Sequence, residues 1–182
     1  MIQNSIKTVR KATSILVVAL LVVVTGSAQS KKEKIIADTE SAKDEFIKAD
    51  PKMAGHFEKA YGYAIFPNVG KGGIGVGGAA GNGVVYEQGV KIGSAKMTQV
   101  SVGLQLGGQS YREVIFFEAK KDLDRFKDNH FEFSAQVSAV AASSGASANA
   151  KYKEGVLVFT MQKGGLMYEA SLGGQKFKFE KD

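Results

Sequence analysis

From Ser30 to Lys48 the inward-facing positions Ile35, Ile36, Thr39, Ala42, Phe46 and Ile47 recur at intervals of three and four, with Lys31, Lys32, Lys34 and Lys43 among the polar positions. That spacing predicts an amphipathic helix. Asp50-Pro51 ends it and opens a second helix, with Asp50 as N-cap and Pro51 in the first helical position, running to about Lys59 and burying Met53 and Phe57. The period then changes to two. "YGYAIF" predicts a strand that stops at Pro67, and Val100, Val102, Leu104 and Leu106 alternate with Gln99, Ser101, Gly103 and Gln105. Val114 to Phe117 is continuously apolar, as in a strand covered on both faces. A helix in "AKKDLDRFKDN" buries Leu123 and Phe126. Phe131, Phe133, Ala135 and Val137 then alternate with polar neighbours, and after the soft "AASSGASANA" three closing strands are expected near Val156–Gln162, Leu166–Leu172 and Lys176–Glu180.

The stretch from Lys71 to Gly83, "KGGIGVGGAAGNG", contains Gly73-x-Gly75-x-x-Gly78, the spacing of a dinucleotide fingerprint. Such a fingerprint must open a helix whose N-terminus holds the phosphate. A helix carrying Gly77, Gly78, Gly81 and Gly83 loses roughly 1 kcal/mol per glycine relative to alanine, and "AAGNGVVYEQGVKIG" reads instead as a β-rich piece with turns at Asn82-Gly83 and Gln88-Gly89. A P-loop fails as well, because no Ser or Thr follows the lysine. At period two, Gly73, Gly75 and Gly77 form one nearly bare strand face, which we expect the first helical layer to cover. "LGGQSY" at Leu106 and "LGGQKF" at Leu172 echo each other and read as two similar β-turns.

Lys7, Arg10 and Lys11 precede an apolar run from Ala12 to about Thr25, too short for a span of roughly 20 residues. "GSAQS" follows, with Gly26 and Ala28 placed as in a signal-peptidase site, so residues 1–28 are expected to be a cleaved signal peptide and 29–182 the mature domain, periplasmic or secreted. Loss of the three basic residues lowers the formal net charge from +6 to +3. That mild excess suits contact with anionic surfaces and does not by itself point to nucleic acid. The chain has no cysteine, so an exported domain is held by its core alone. A composition 44% hydrophobic and 23% charged is that of a globular domain.

The motifs "AYGYAIFPNVGKGGIGVGGAAGNGVVYE", "SVGLQLGGQSYREVIFF" and "GLMYEASLGGQ", in this order, resemble the SYLF family of lipid-binding domains over about Lys34 to Phe179. The resemblance implies a non-enzymatic domain. Eukaryotic members bind phosphoinositide-rich membranes and some bundle actin, whereas bacterial members look like exported single-domain proteins. The family's lysine before the glycine cluster matches Lys71, and its basic N-terminal segment matches Lys31 to Lys48. A bacterial envelope offers phosphatidylglycerol, cardiolipin or lipopolysaccharide in place of phosphoinositide.

Residue chemistry for catalysis is sparse. His56-x-Glu58 lies on a predicted helix, where side chains two apart diverge, and Asp122, Asp124 and Asp128 lack the bend glycine of a calcium loop and read as a solvated helix face. No metal or other cofactor is expected. An amphipathic helix with lysines flanking its apolar stripe can lie in a headgroup layer; its simpler role is to pack on the sheet. An outer-membrane barrel is a further alternative, weakened by the charged end "FKFEKD" and the absence of Trp. The expected fold is α+β: N-terminal helices packed on a strongly curved, mostly antiparallel, glycine-rich sheet, open or closed into a barrel. The expected function is binding of anionic phospholipid membrane surfaces through Lys31, Lys32, Lys34, Lys43 and Lys71. The alternative is an envelope module that binds another protein.

Overall fold

A computed structural model describes residues 29–74, 76–102, 109–129, 131–133, 137–163, 172 and 174–182. The signal segment, Gly75, Leu104 to Leu106 and the expected strand at 166–171 lie outside the described residues. The chain divides into two units, Met1–Ile36 and Ala37–Asp182. In the first, residues 29–36 are helical; in the second, residues 37–49 are helical, and the two stretches are together called α1. Two further helices, α2 (Met53–Lys59) and α3 (Lys120–Lys127), accompany a seven-stranded sheet of β1 (Gly62–Ile74), β2 (Val76–Glu87), β3 (Val90–Val102), β4 (Gln109–Phe117), β5 (Ala139–Ala141), β6 (Val156–Gln162) and β7 (Gln175–Lys181).

The order is β5-β6-β4-β1-β2-β3-β7, antiparallel throughout except for the β5–β6 pair. The α+β expectation holds, but among the described residues the sheet does not close: β5 and β7 are its ends and do not pair with each other. It is nonetheless strongly curled. The rings of Phe66 on β1 and Phe177 on β7 lie 5.7 Å apart, although β2 and β3 separate these strands; three strand spacings laid flat would span roughly 14 Å.

Alternation along the strands splits the core between two faces. Inside the curl, Ala64, Phe66, Ile115, Phe117, Val158 and Phe177 meet Leu123 and Phe126 of α3 and the extended Phe131–Phe133 segment. The opposite face carries Tyr63, Tyr86, Phe116 and Phe159, buried along with Phe46 of α1 and Met53 and Phe57 of α2. Val114 to Phe117 are therefore all buried, as their continuous apolarity predicts.

Four local readings are corrected. Helix α2 begins at Met53, not Pro51, because residues 51–52 form a turn in which Asp50 Oδ1 accepts from the Lys52 N–H at 3.2 Å. Strand β1 runs through Pro67. A proline inside a central strand lacks a ladder donor, and here register shifts against both neighbours leave Pro67 without a partner on either side, so no donor is missed. Asn82-Gly83 is not a turn but lies within β2 opposite that bulge; a Cβ at Gly83 would stand 2.5 Å from the Ile65 carbonyl oxygen. Gln88-Gly89 is the β2–β3 turn, with φ of 50° and 78°. The expected strand at Phe131–Val137 is reduced to the isolated bridge Glu132↔Lys176, with Ser134 to Gln136 outside the described residues.

Candidate functional site

The second-unit part of α1 docks through Thr39, Ala42 and Phe46, all buried. Three of its carboxylates reach partners on the sheet beside this stripe. Asp38 accepts from Asn68 Nδ2 at 3.3 Å, Glu40 from the Tyr86 hydroxyl at 2.9 Å, and Glu45 from Arg112 at 2.7 Å. Burial, then Glu40, holds the Tyr86 hydroxyl well above the usual phenol range. Lys43 is turned inward as well, its ammonium 5.3 Å from the centre of the Phe57 ring and 5.7 Å from that of Tyr63, a cation–π arrangement. Lys31, Lys32 and Lys34 are exposed on the helical residues of the first unit.

Lys71 is placed differently. It stands two residues beyond Val69 on β1 and opposite Ala79 on β2, and both belong to the cluster inside the curl. It is half-buried on that face, whereas Lys43 lies on the other. The structure thus does not bring Lys43 and Lys71 together. The glycine run around it is a hairpin, with Gly72 opposite Gly78 and Gly73 opposite Gly77. Around Gly70 and Gly72, on the strand face opposite that of Gly73 and Gly77, nothing lies within 4 Å of where a Cβ would be, and what covers the expected bare face at Gly73 and Gly75 lies outside the described residues.

The inner face also holds a polar row that strand periodicity did not single out. Glu113 follows Tyr111 and precedes Ile115 on the inward positions of β4, and it is fully buried. Gln175 Nε2, from β7, donates to Glu113 Oε2 at 3.0 Å. Glu113 Oε1, Gln175 Oε1 and Thr160 Oγ1 are buried without a hydrogen-bond partner among the described residues. Burial pushes the Glu113 carboxyl up to about 7, against a smaller downward effect of the Gln175 hydrogen bond. The sequence signal was present in the alternation Tyr111, Glu113, Ile115, Phe117, but a charged residue bounding an apolar run reads as the strand's end.

The residues weighed for catalysis have structural roles. His56 Nε2 lies 3.1 Å from the Ser147 carbonyl oxygen, with its ring beside Phe116 and Phe159. Asp122 is buried, correcting the solvated-face reading, and accepts from the Ala119 N–H at 3.2 Å to cap α3. Asp124 is tied to Lys120 at 2.5 Å and Lys127 at 2.8 Å, which hold its carboxyl below the usual range. Among the described residues no group of His, Cys, Asp or Glu is arranged to hold a metal ion, and no helix is long and apolar enough to cross a membrane.

Residues 98–182 match the Ysc84 family, described as "Las17-binding protein actin regulator". This is the SYLF family, and this segment of the chain belongs to it. The chain is also 33% identical over 129 residues, 69% of its length, to beta cell expansion factor A of Aeromonas veronii, another SYLF-domain protein, and spans 48% of that relative. The family segment runs from the end of β3 to β7, so it includes Glu113 and Gln175. The five lysines predicted from sequence all precede it.

Proposed function

We propose that this chain is a non-enzymatic SYLF-type binding protein that attaches peripherally to anionic phospholipid surfaces. It acts on the exported side of a bacterial membrane, periplasmic or secreted, after residues 1–28 are removed. The observation that carries this reading is the exposure of Lys31, Lys32 and Lys34 on the helical residues 29–36, where three lysines outnumber the single exposed acid, Glu33. Each lysine near an anionic surface contributes about 1 kcal/mol at modest salt. Lys71, on the inner face, serves an inserted headgroup rather than a flat membrane. Family membership supports a binding function, with lipid- or actin-related partners the class it suggests.

The description of the family as Las17-binding favours a second reading, in which the same fold binds a protein. Co-sedimentation separates them. Residues 29–182 should pellet with phosphatidylglycerol vesicles and not with phosphatidylcholine vesicles, and less as salt rises. Failure to pellet with either, together with capture of one defined protein partner, would favour the second reading.

A further inference from the structure

Strand β5 pairs with Val158 to Thr160 of β6 and Lys153 bridges to Val156, so among the described residues Leu157 between them has no strand partner on this outer edge. A cleft of about 260 Å³ opens there. Its floor is Val137, Val156, Leu157 and Val158, all buried, and its rim carries the exposed Lys151 and Lys153. Ser138 and Asn149 add polar groups to the same wall.

Both lysines line this opening, on a segment held by backbone hydrogen bonds. Lys153 and Val156 exchange backbone hydrogen bonds of 2.8 and 3.0 Å across a tight turn, with φ of 51° at Glu154 and 78° at Gly155. Gly155 is required there, since any Cβ would collide with the Asp122 carboxylate that caps α3. Lys151 and Lys153 are two residues apart in an extended segment and so share a side, while Tyr152 between them is half-buried, its hydroxyl pushed up to about 12 by burial. Neither lysine is tied to a carboxylate among the described residues. The neighbouring acid, Glu154, lines a separate cavity of about 70 Å³ across Val156, shared with Arg125.

An apolar floor beneath two cations matches an alkyl chain that ends in an anion. The volume is below the roughly 300 Å³ at which ordinary ligand pockets begin, so it accommodates part of one chain and not a diacyl lipid. We propose that this cleft binds a single alkyl chain bearing a carboxylate or phosphate head, the chain against Val156 to Val158 and the head between Lys151 and Lys153. The proposal deepens the lipid reading above and rests on it only for the source of the ligand, a free fatty acid or one chain of a membrane lipid.

The test is calorimetric titration of residues 29–182 with octanoate, decanoate and decyltrimethylammonium, each below its micelle concentration. Saturable one-to-one binding of decanoate is expected, tighter than octanoate by at least tenfold, since each buried methylene is worth about fourfold, with none for the cationic amphiphile. The double variant K151E/K153E changes only exposed side chains and should lose at least tenfold in decanoate affinity while melting like the parent. Val140→Phe, which narrows the cleft, should weaken decanoate with its head contacts intact. Decanoate affinity that ignores both variants, or lacks chain-length dependence, overturns the proposal, as does absence of binding. Vesicle co-sedimentation in parallel separates the two readings. Pelleting without decanoate binding rejects the cleft alone, and decanoate binding without pelleting rejects the membrane-surface reading alone. Free and membrane-borne chains are distinguished by whether decanoate competes with pelleting.

Discussion

Gln175 on β7 donates to Glu113 on β4 at 3.0 Å, although β1, β2 and β3 lie between their strands. Four strand spacings laid flat would span roughly 19 Å. The bond is therefore a measure of how far the sheet curls, and it ties β4 to β7 across the interior. It sits in apolar surroundings, with Phe66, Ile115 and Phe177 in the same cluster.

This placement makes stability depend on pH with a definite sign. The folded protein holds the Glu113 proton more tightly than the unfolded chain does, with the carboxyl raised from 4.5 to about 7. Its contribution is thus most favourable below pH 4.5 and is lost as pH rises through 7, by roughly 3 kcal/mol in all. Glu113→Gln keeps the shape and removes the proton. Urea unfolding at pH 5 and pH 8 should show the variant gaining on the parent at the higher pH; an identical pH dependence for the two would mean that Glu113 is not buried in this way.

Glycines in the β1–β2 hairpin should divide sharply by what surrounds them. Gly83→Ala places a methyl 2.5 Å from the Ile65 carbonyl oxygen and 2.7 Å from the Phe66 ring, and should cost about 1–3 kcal/mol through overpacking. Gly72→Ala meets nothing within 4 Å and should stay within about 0.5 kcal/mol of the parent. Thermal melts of the two single variants check this, and equal effects would contradict the bulge geometry.

On the helix-covered face, Phe116 stands among four rings: His56 at 5.7 Å, Phe57 at 4.9 Å, Tyr63 at 6.2 Å and Phe159 at 6.1 Å between centroids. Phe116→Ala should cost about 3–5 kcal/mol. Denaturant midpoints measure it. A loss below 1 kcal/mol would mean that this face carries little of the core.

What could be seen in the sequence was what local periodicity encodes. The three-to-four spacing through Thr39, Ala42 and Phe46 and the pair Leu123 and Phe126 placed helices correctly, because burial on one face repeats within a few residues. Pro67 misled because a lone proline normally ends a strand, and only the register of both neighbours reveals the bulge that accommodates it. Asn82-Gly83 has the composition of a turn, yet its glycine serves the close approach of β1. The Glu113–Gln175 bond joins positions 62 residues apart, and no local pattern reports that. Among the candidate lysines, the sequence could show charge and spacing but not face: Lys43 turned onto two rings and Lys71 into the curl. Lys151 and Lys153 were readable only as an alternating pair before a strand, since the cleft they border forms from β5 and β6 together.

The most direct test of the account is partitioning of residues 29–182 onto phosphatidylglycerol vesicles before and after replacing Lys31, Lys32 and Lys34 together with alanine. Three lysines at about 1 kcal/mol each amount to a loss on the order of 100-fold at low salt, with the melting temperature unchanged. Partitioning that is insensitive to the triple replacement and to salt would contradict a lysine-borne membrane contact.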